Sequence, residues 1–462
     1  MSALAPVLAA LFWGIVVLSV LVFVHEGGHY LSAHACGMRV TEFFLGMPFR
    51  HNVSWKSKGR GTRFGVTPLL LGGYTRICGM EGTRSDKLAA CLALVQRRGR
   101  VGASDVAATL DVSVDDALDL LATLSDWASI RPYYNPDKGE YEGQATYPEA
   151  FETLARDDRL LTEYDRGHDF SRPGSTAAGE PRPIEGDAEA FLAHERSQTY
   201  LGKGFLRRVI TLLAGPLVNI VVAFLIVTVS LSTVGVDTIL DTNTLGGVEA
   251  GSLADAAGLK AGDTIRRIDG TDVDSWSSLT AALGAVRSQG RDFEVVAVGQ
   301  DGVERTLTID VPADGVWDKL GIDASVGHRQ LDLVESAGYA VRYGQMVADF
   351  AVRLIMPQHT METLQGASSV IGISAMASEA ASEGINTLLL FVAAVSMSLG
   401  FMNLLPIPPL DGGKVLIEVV QAVIRRPLSV RAQRYVSYVG LAFFVVIFVY
   451  ALRNDILGML AR

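Results

Sequence analysis

Cysteine is nearly absent from this sequence: Cys36, Cys78 and Cys91 are the only three in 462 residues, and no two stand in CxxC spacing. No disulfide framework is implied, and the three thiols read as buried or free. Positive charge is also scarce, with 40 Lys and Arg against 50 Asp and Glu and a formal net charge of −10. Even so, mean hydropathy is +0.28 and 49% of the residues are apolar. A single soluble globule does not combine those figures; a chain that mixes apolar spans with acidic soluble parts does. The first apolar run has no basic segment before it and leads straight into polar residues of interest, so it reads as a retained span and not as a cleaved signal peptide. Pairs of interrupted spans with repeat symmetry are missing too, which argues against a transporter or channel.

Four runs are long enough to cross a bilayer, which takes roughly 20 apolar residues in a helix. They cover residues 5–24, about Leu206 to Val234, about Thr387 to Leu405 and about Tyr435 to Leu452. Basic residues set the orientation. Arg39, Arg50, Lys56, Lys58, Arg60 and Arg63 follow the first run. Lys203, Arg207 and Arg208 precede the second, and Lys414, Arg425, Arg426, Arg431 and Arg434 separate the third from the fourth. All three clusters belong in the cytoplasm, so residues 235–386 lie outside it.

Between the spans the pattern changes. Residues 39–84 read as a β-rich, membrane-reentrant loop, with Gly72 and Gly73 breaking an apolar strand into a hairpin or bulge. Residues 85–200 read as a cytoplasmic insert with helices from Leu88 to Gln96, Ser104 to Leu110 and Ser113 to Leu124, the last two opened by capping serines. The order resembles a small winged-helix module, but its third helix carries Asp115, Asp116 and Asp119. A basic face is what nucleic acid requires, so a partner of unknown kind is expected for the insert. Residues 165–188, rich in Gly, Pro, Ser and charge, read as a flexible linker. Residues 329–385 are amphipathic, with an apolar stripe at Tyr339, Val341, Met346, Phe350 and Leu354 that suits a helix on the membrane face.

The chemistry sits in His25-Glu26-Gly27-Gly28-His29. Side chains four apart share a helix face, so both imidazoles can meet one metal ion, with Glu26 beside them to take a proton from water. Ionisable residues ending an apolar span are costly without partners and are functional candidates. Gly27 and Gly28 each weaken a helix by roughly 1 kcal/mol, yet they permit close approach of another segment. A catalytic zinc takes three protein ligands, and the strongest third candidate is Asp411. It closes Asn403-Leu-Leu-Pro406-Ile-Pro-Pro-Leu-Asp411-Gly-Gly413, where three prolines interrupt the helix. The topology puts His25, His29 and Asp411 at one cytoplasmic depth. His34 falls off the face of His25, and His359 belongs to the other side of the membrane.

The pairing of HExxH with Asn-x-x-Pro-x-x-x-x-Asp-Gly resembles the site-2 protease family of intramembrane zinc metalloproteases. Gly258-Leu-Lys-Ala-Gly-Asp-Thr-Ile-Arg-Arg-Ile-Asp-Gly270 resembles bacterial PDZ domains, and with it the arrangement is similar to the regulator-of-sigma-E protease branch. Leu71-Gly-Gly-Tyr74, Ala214-Gly-Pro-Leu-Val-Asn219 and Leu364 to Ile373 match further motifs of that family. The resemblance implies a polytopic α-helical membrane protein with about four transmembrane helices, a membrane-associated β-hairpin and an extracytoplasmic PDZ domain beside the cytoplasmic insert. Its order would be a first span in 1–38, the loop in 39–84, the insert in 85–200 and a second span in 201–235. A PDZ domain in 236–328, the amphipathic region in 329–385, a third span in 386–413, and a cytoplasmic loop with a fourth span in 414–462 complete it. The resemblance further implies Zn2+ on His25, His29 and Asp411, Glu26 as catalytic base, and substrate held by Asn403, Pro406, Gly72, Gly73 and Tyr74. Expected substrates are single-span membrane proteins, such as anti-sigma factors or remnant signal peptides, cut in the lipid of a bacterial inner membrane. Two rivals remain: an ion path, and a catalytically dead PDZ scaffold, which would have lost Glu26 or a ligand.

Overall fold

The computed structural model describes residues 4–70, 72–80, 82, 85–141, 144, 146–312, 317, 319–366, 368–426, 428 and 430–460. Leu71 and Ala367, from two of the motifs above, lie outside the described residues. The chain divides into two compact units, Met1–Val227 with Tyr339–Arg462, and Thr228–Gly338.

Among the described residues four helices are long and apolar enough to cross a membrane, Ala5–Ala35, Phe205–Thr233, Ile385–Asn403 and Ala432–Gly458, at the four positions expected, and all lie in the first unit except the end of the second from Thr228 on. They expose large apolar side chains, Phe12 at 59% and Val439 at 74% among them, as lipid-facing surfaces do. The first helix runs on past the HEGGH residues to Ala35, so the motif lies within it. Val17 and Leu21 of this helix pack with Ala377, Ala380 and Leu388. Against the second helix the contact is backbone to backbone: a Cβ on Gly28 would lie 2.9 Å from Gly215 Cα. The third helix approaches the second equally closely, since a Cβ on Gly400 would lie 2.9 Å from the Pro216 carbonyl oxygen. The third helix stops at Asn403, and Asp411 opens a separate helix, Asp411–Ile424, so the interruption expected at the prolines falls between the two.

The expected β-hairpin is instead a four-stranded mixed sheet. Strands β1 (Val40–Leu45), β2 (Val53–Lys56), β3 (Arg63–Val66) and β4 (Gly73–Ile77) stand in the order β2-β3-β1-β4, with β1 parallel to β3 and antiparallel to β4. The Gly-rich stretch before β4 therefore carries the chain across β1 and does not close a two-residue turn. Phe43 of β1 packs edge-on against Phe23 and Tyr30 of the first helix.

The insert has helices Leu88–Arg98, Ala103–Leu110 and Val114–Asp126, and strands Arg100–Gly102, Ile130–Tyr133 and Ala150–Thr153, with the last strand central in an antiparallel sheet. Leu92, Val95, Leu121, Leu124 and Phe151 fill its core. Ser113 caps its helix by accepting from the Asp116 N–H, as expected. Ser104 does not cap: Gly102 is the capping residue, and its N–H donates to Asp105 Oδ2. Residues 165–188 are no free linker. Arg39 donates to both oxygens of Asp165 at 2.8 and 2.7 Å. The Gly179 N–H reaches the Thr153 carbonyl at 3.0 Å, and that of Arg182 reaches Gln96 at 2.6 Å. Composition misled here because irregular chain packs by specific partners far away in sequence, which leaves no periodic trace.

In the second unit Thr264–Ile268 pairs with Thr271–Asp272 and with Phe293–Val298, which pairs in turn with Glu304–Ile309. Ile265, Ile268, Leu279 and Phe293 are its buried core. Asp269 and Gly270 turn the first pair with φ of 47° and 80°, the positive values that a tight hairpin turn demands.

At the base of the insert Glu195 is fully buried between Arg39 and Arg156, at 2.8 and 3.0 Å. Burial alone would raise its pKa, but Arg156 and Arg39 hold the carboxyl far below the usual range. Glu195→Ala leaves two buried cations short of a partner and should destabilise the insert by about 3–5 kcal/mol, read by hydrogen exchange of the 85–200 amides. Because the folded pKa is depressed, the stabilisation is complete above the unfolded value of 4.5 and is lost as pH falls toward the folded one. Gly28→Val should cost about 1–3 kcal/mol by overpacking, checked by thermal melting in detergent.

Candidate metal centre

Four residues apart on the first helix, His25 and His29 stack edge to face with ring centroids 4.9 Å apart. Their Nε2 atoms lie 3.3 Å from each other and 3.1 and 3.2 Å from Asp411 Oδ2. All three side chains are buried, and their candidate ligand atoms lie within 4.8 Å of one another. Nearly the whole chain separates the two segments.

The surrounding groups fix what those atoms can be. His29 Nδ1 lies 2.8 Å from the Thr211 carbonyl, which only accepts, so Nδ1 carries the hydrogen and the Nε2 of neutral His29 carries a lone pair. At His25, Nδ1 lies 3.4 Å from Asn219 Nδ2, while Asn219 Oδ1 is buried and has no partner among the described residues. Amide nitrogen and oxygen are assigned by their hydrogen bonds, and turning this amide lets His25 Nδ1–H donate to Oδ1. His25 Nε2 is then an acceptor as well. Two imidazole nitrogens and a carboxylate oxygen converging as acceptors repel one another unless a cation lies between them. The donor set, nitrogen and oxygen in a buried cluster of three, fits a zinc ion with one position left open.

Asp411 is held from its own side. It begins Asp411–Ile424, where the helix N-terminus favours a carboxylate, and Lys414 Nζ reaches its second oxygen at 3.3 Å. Gly412 and Gly413 explain the sequence that follows it: a Cβ on either would collide with the Leu404 to Pro408 backbone. The proline-broken turn and the helix start are thus pressed together, and the carboxylate is aimed inward.

Glu26 is half-buried on the adjoining face. The Thr75 hydroxyl of β4 donates to the Glu26 carbonyl at 3.1 Å, and a Cβ on Gly73 would meet Val22 and Glu26 at 2.6 and 3.4 Å. Gly73 therefore allows β4, the edge strand of its sheet, to lie against the first helix beside Glu26. Gly72 accepts from the Gly46 N–H at 2.6 Å. The Tyr74 side chain is not brought to this point: it stacks on Phe44 at 5.4 Å and donates to Glu42 at 3.0 Å, on the opposite face of the sheet. Asn403 ends the third helix, partly exposed and with no side-chain hydrogen bond among the described residues, and Pro406 is exposed in the turn leading to Asp411. His34 rests against Tyr30 at 4.5 Å, away from the cluster.

The sequence reading left the second helix without a role. Thr211, Gly215 and Asn219 all touch the two histidines, and Ser396 of the third helix donates to the Asn219 carbonyl at 2.9 Å. An asparagine amid residues 217–227, otherwise wholly apolar, was the available signal. Pro216, which has no N–H for the Leu212 carbonyl, interrupts the helical ladder next to Thr211.

The sequence profile of Peptidase family M50 matches residues 13–447. Over 455 residues the chain is 26% identical to the Regulator of sigma-W protease RasP of Bacillus subtilis, covering 96% of this chain and 97% of that one. It is 26% identical to the Zinc metalloprotease RasP of Geobacillus kaustophilus, with 96% of each covered. It is 25% identical to the Zinc metalloprotease RasP of Shouchella clausii, with 96% and 97% covered. The matched span contains the histidine pair, the second helix that orients it and Asp411 alike, and the chain belongs to peptidase family M50 as a metalloendopeptidase.

Proposed function

We propose that this protein is an intramembrane zinc-dependent endopeptidase that cuts single-span membrane proteins near the cytoplasmic face of a bacterial inner membrane. The observation that carries the reading is the buried convergence of His25, His29 and Asp411 within an apolar helix bundle. His25 Nε2, His29 Nε2 and Asp411 Oδ2 would hold the ion. When bound, zinc supplies Lewis-acid polarisation of a carbonyl and brings the pKa of water toward 7.

The protein's own groups do the rest. Glu26, beside the histidine pair, takes the proton from the attacking water and returns it to the departing amide nitrogen. Thr211 and Asn219 keep both imidazoles neutral and oriented. A helical substrate presents no free carbonyl, so it must unwind first. The outer edge of β4 then offers the backbone groups of Gly73, between Gly72 and Tyr74, for strand addition, and the free Asn403 amide, next to Pro406, is available to bond the unwound backbone. The basic clusters support placing the site at the cytoplasmic end and unit 228–338 outside the cytoplasm. The sequence phrase ending at Gly270 supports reading that unit as a PDZ domain that favours substrates whose external part is already short. Anti-sigma factors suit this reading, beside a Bacillus subtilis relative named as a regulator of sigma-W, and remnant signal peptides suit it equally.

Glu26→Gln should retain one zinc per chain and lose cleavage of a single-span substrate in detergent, a fall of at least 100-fold. Undiminished proteolysis by that variant would sink the assignment. Asn219→Leu should weaken zinc binding by about 10–100-fold, read by competition with a chromophoric chelator, while Asp411→Ala should abolish stoichiometric binding.

A further inference from the structure

A cavity of 1020 Å³ lies between the β1–β4 sheet and the insert, within the first unit. One wall is the face of the sheet turned away from the first helix, where Glu42 and Arg76 stand opposite each other on β1 and β4. The other wall belongs to the insert: Arg100, Arg131, Tyr133 and Tyr147. Arg100 and Arg131 are each about half exposed, and both engage a single carboxylate, Glu152, which is 3% exposed, at 2.7 and 2.6 Å. Arg100 also stacks on Tyr133 at 3.3 Å.

Charge decides what this cavity can take. Its other carboxylates are engaged: Glu42 accepts from the Tyr74 hydroxyl, Asp126 from the Gly79 N–H, and Glu163 pairs with Lys56. Glu152 is shared by two guanidiniums, which leaves that wall with more cationic donors than its one buried acceptor can use. The position of the cavity is equally specific. Thr75 of β4 bonds the Glu26 carbonyl and Gly73 lies beside that residue, and Arg76 is three residues beyond Gly73 along the same strand, a distance of about 10 Å.

We propose that this cavity receives the extended stretch of substrate about three to six residues from the scissile bond on the cytoplasmic side, a reach set by the rise along β4, and that it selects for a carboxylate side chain there. The proposal rests on the protease reading above and gives the insert its role: it is the far wall of a substrate channel that begins at the edge strand. Side chains of a chain paired along β4 alternate between the two faces of the sheet, and past Glu26 those on the face of Arg76 point toward the Arg100–Arg131 pair. Carboxylates there meet surplus guanidinium donors, whereas lysines in the same stretch meet like charge.

The test uses the full-length chain in liposomes and a single-span substrate whose cut is mapped by mass spectrometry. Glu, Ala or Lys is placed throughout the stretch three to six residues from that cut. The wild type should cut the Glu series with kcat/KM about tenfold above the Lys series, carried mainly by KM. Replacing Arg100→Gln, Arg131→Gln and Glu152→Gln together removes the buried carboxylate with both of its cations, so no orphan charge is left. The Glu-to-Lys ratio should then fall to near one, with folding followed by thermal melting. Arg76→Gln, on an exposed side chain of the facing wall, should lower the ratio independently and reads the cavity if the triple variant does not fold. Equal cleavage of the Glu and Lys series by the wild type, or a ratio unmoved in the folded variants, overturns this inference alone. Failure of the wild type to cut any series overturns the protease reading and this inference with it.

Discussion

The constraint on which this structure depends is the burial of two imidazoles and a carboxylate at one point among apolar helices. Buried donors and acceptors must all be satisfied, and three acceptors aimed at one another need a cation to be stable. The supporting groups follow from that requirement. The Thr211 carbonyl and Asn219 fix the outer nitrogens of the histidines, and Ser396 fixes Asn219 through its backbone. Lys414 and a helix N-terminus hold the carboxylate. To bring these groups within reach, three helices approach backbone to backbone at Gly28, Gly215 and Gly400. The glycines that weaken the first helix as an isolated element are what let it join the others.

A second layer of construction attaches the soluble parts to this centre. Arg39 follows the first helix by four residues and is fully enclosed by the insert, bound to Asp165 and Glu195. Glu195 lies in Ala188–Ser197, shortly before the second helix begins at Phe205. The insert is therefore tied at its base to both helices that build the histidine site. The thiols of Cys78 and Cys91 are pushed up to about 12 by burial, which keeps them protonated and inert in this packed region.

Much of this was legible in the sequence, because its signals are local or periodic. The four spans follow from length and hydropathy, the histidine pair from spacing, and the Asp269–Gly270 turn from residue type. Asp411 was reachable because topology put it at the depth of the histidines. What stayed hidden depends on long-range partners. The mixed sheet could not be read from Gly72 and Gly73, since strand order is set by pairing of β1 with both β3 and β4 and not by the turn between neighbours. The segment 165–188 looked free because its anchors, Arg39, Thr153 and Gln96, are distant in sequence. Gly102 displaced Ser104 as a cap because the preceding strand fixes where that helix begins.

The backbone-to-backbone contacts carry a consequence for divergence. Exposed apolar side chains of these helices, such as Phe12 or Val439, take no part in positioning the histidines or Asp411. They can be exchanged for any apolar residue without disturbing the centre. A few glycines, one asparagine and the ligand residues, with Thr211, Ser396 and Lys414 behind them, carry the geometry of the centre.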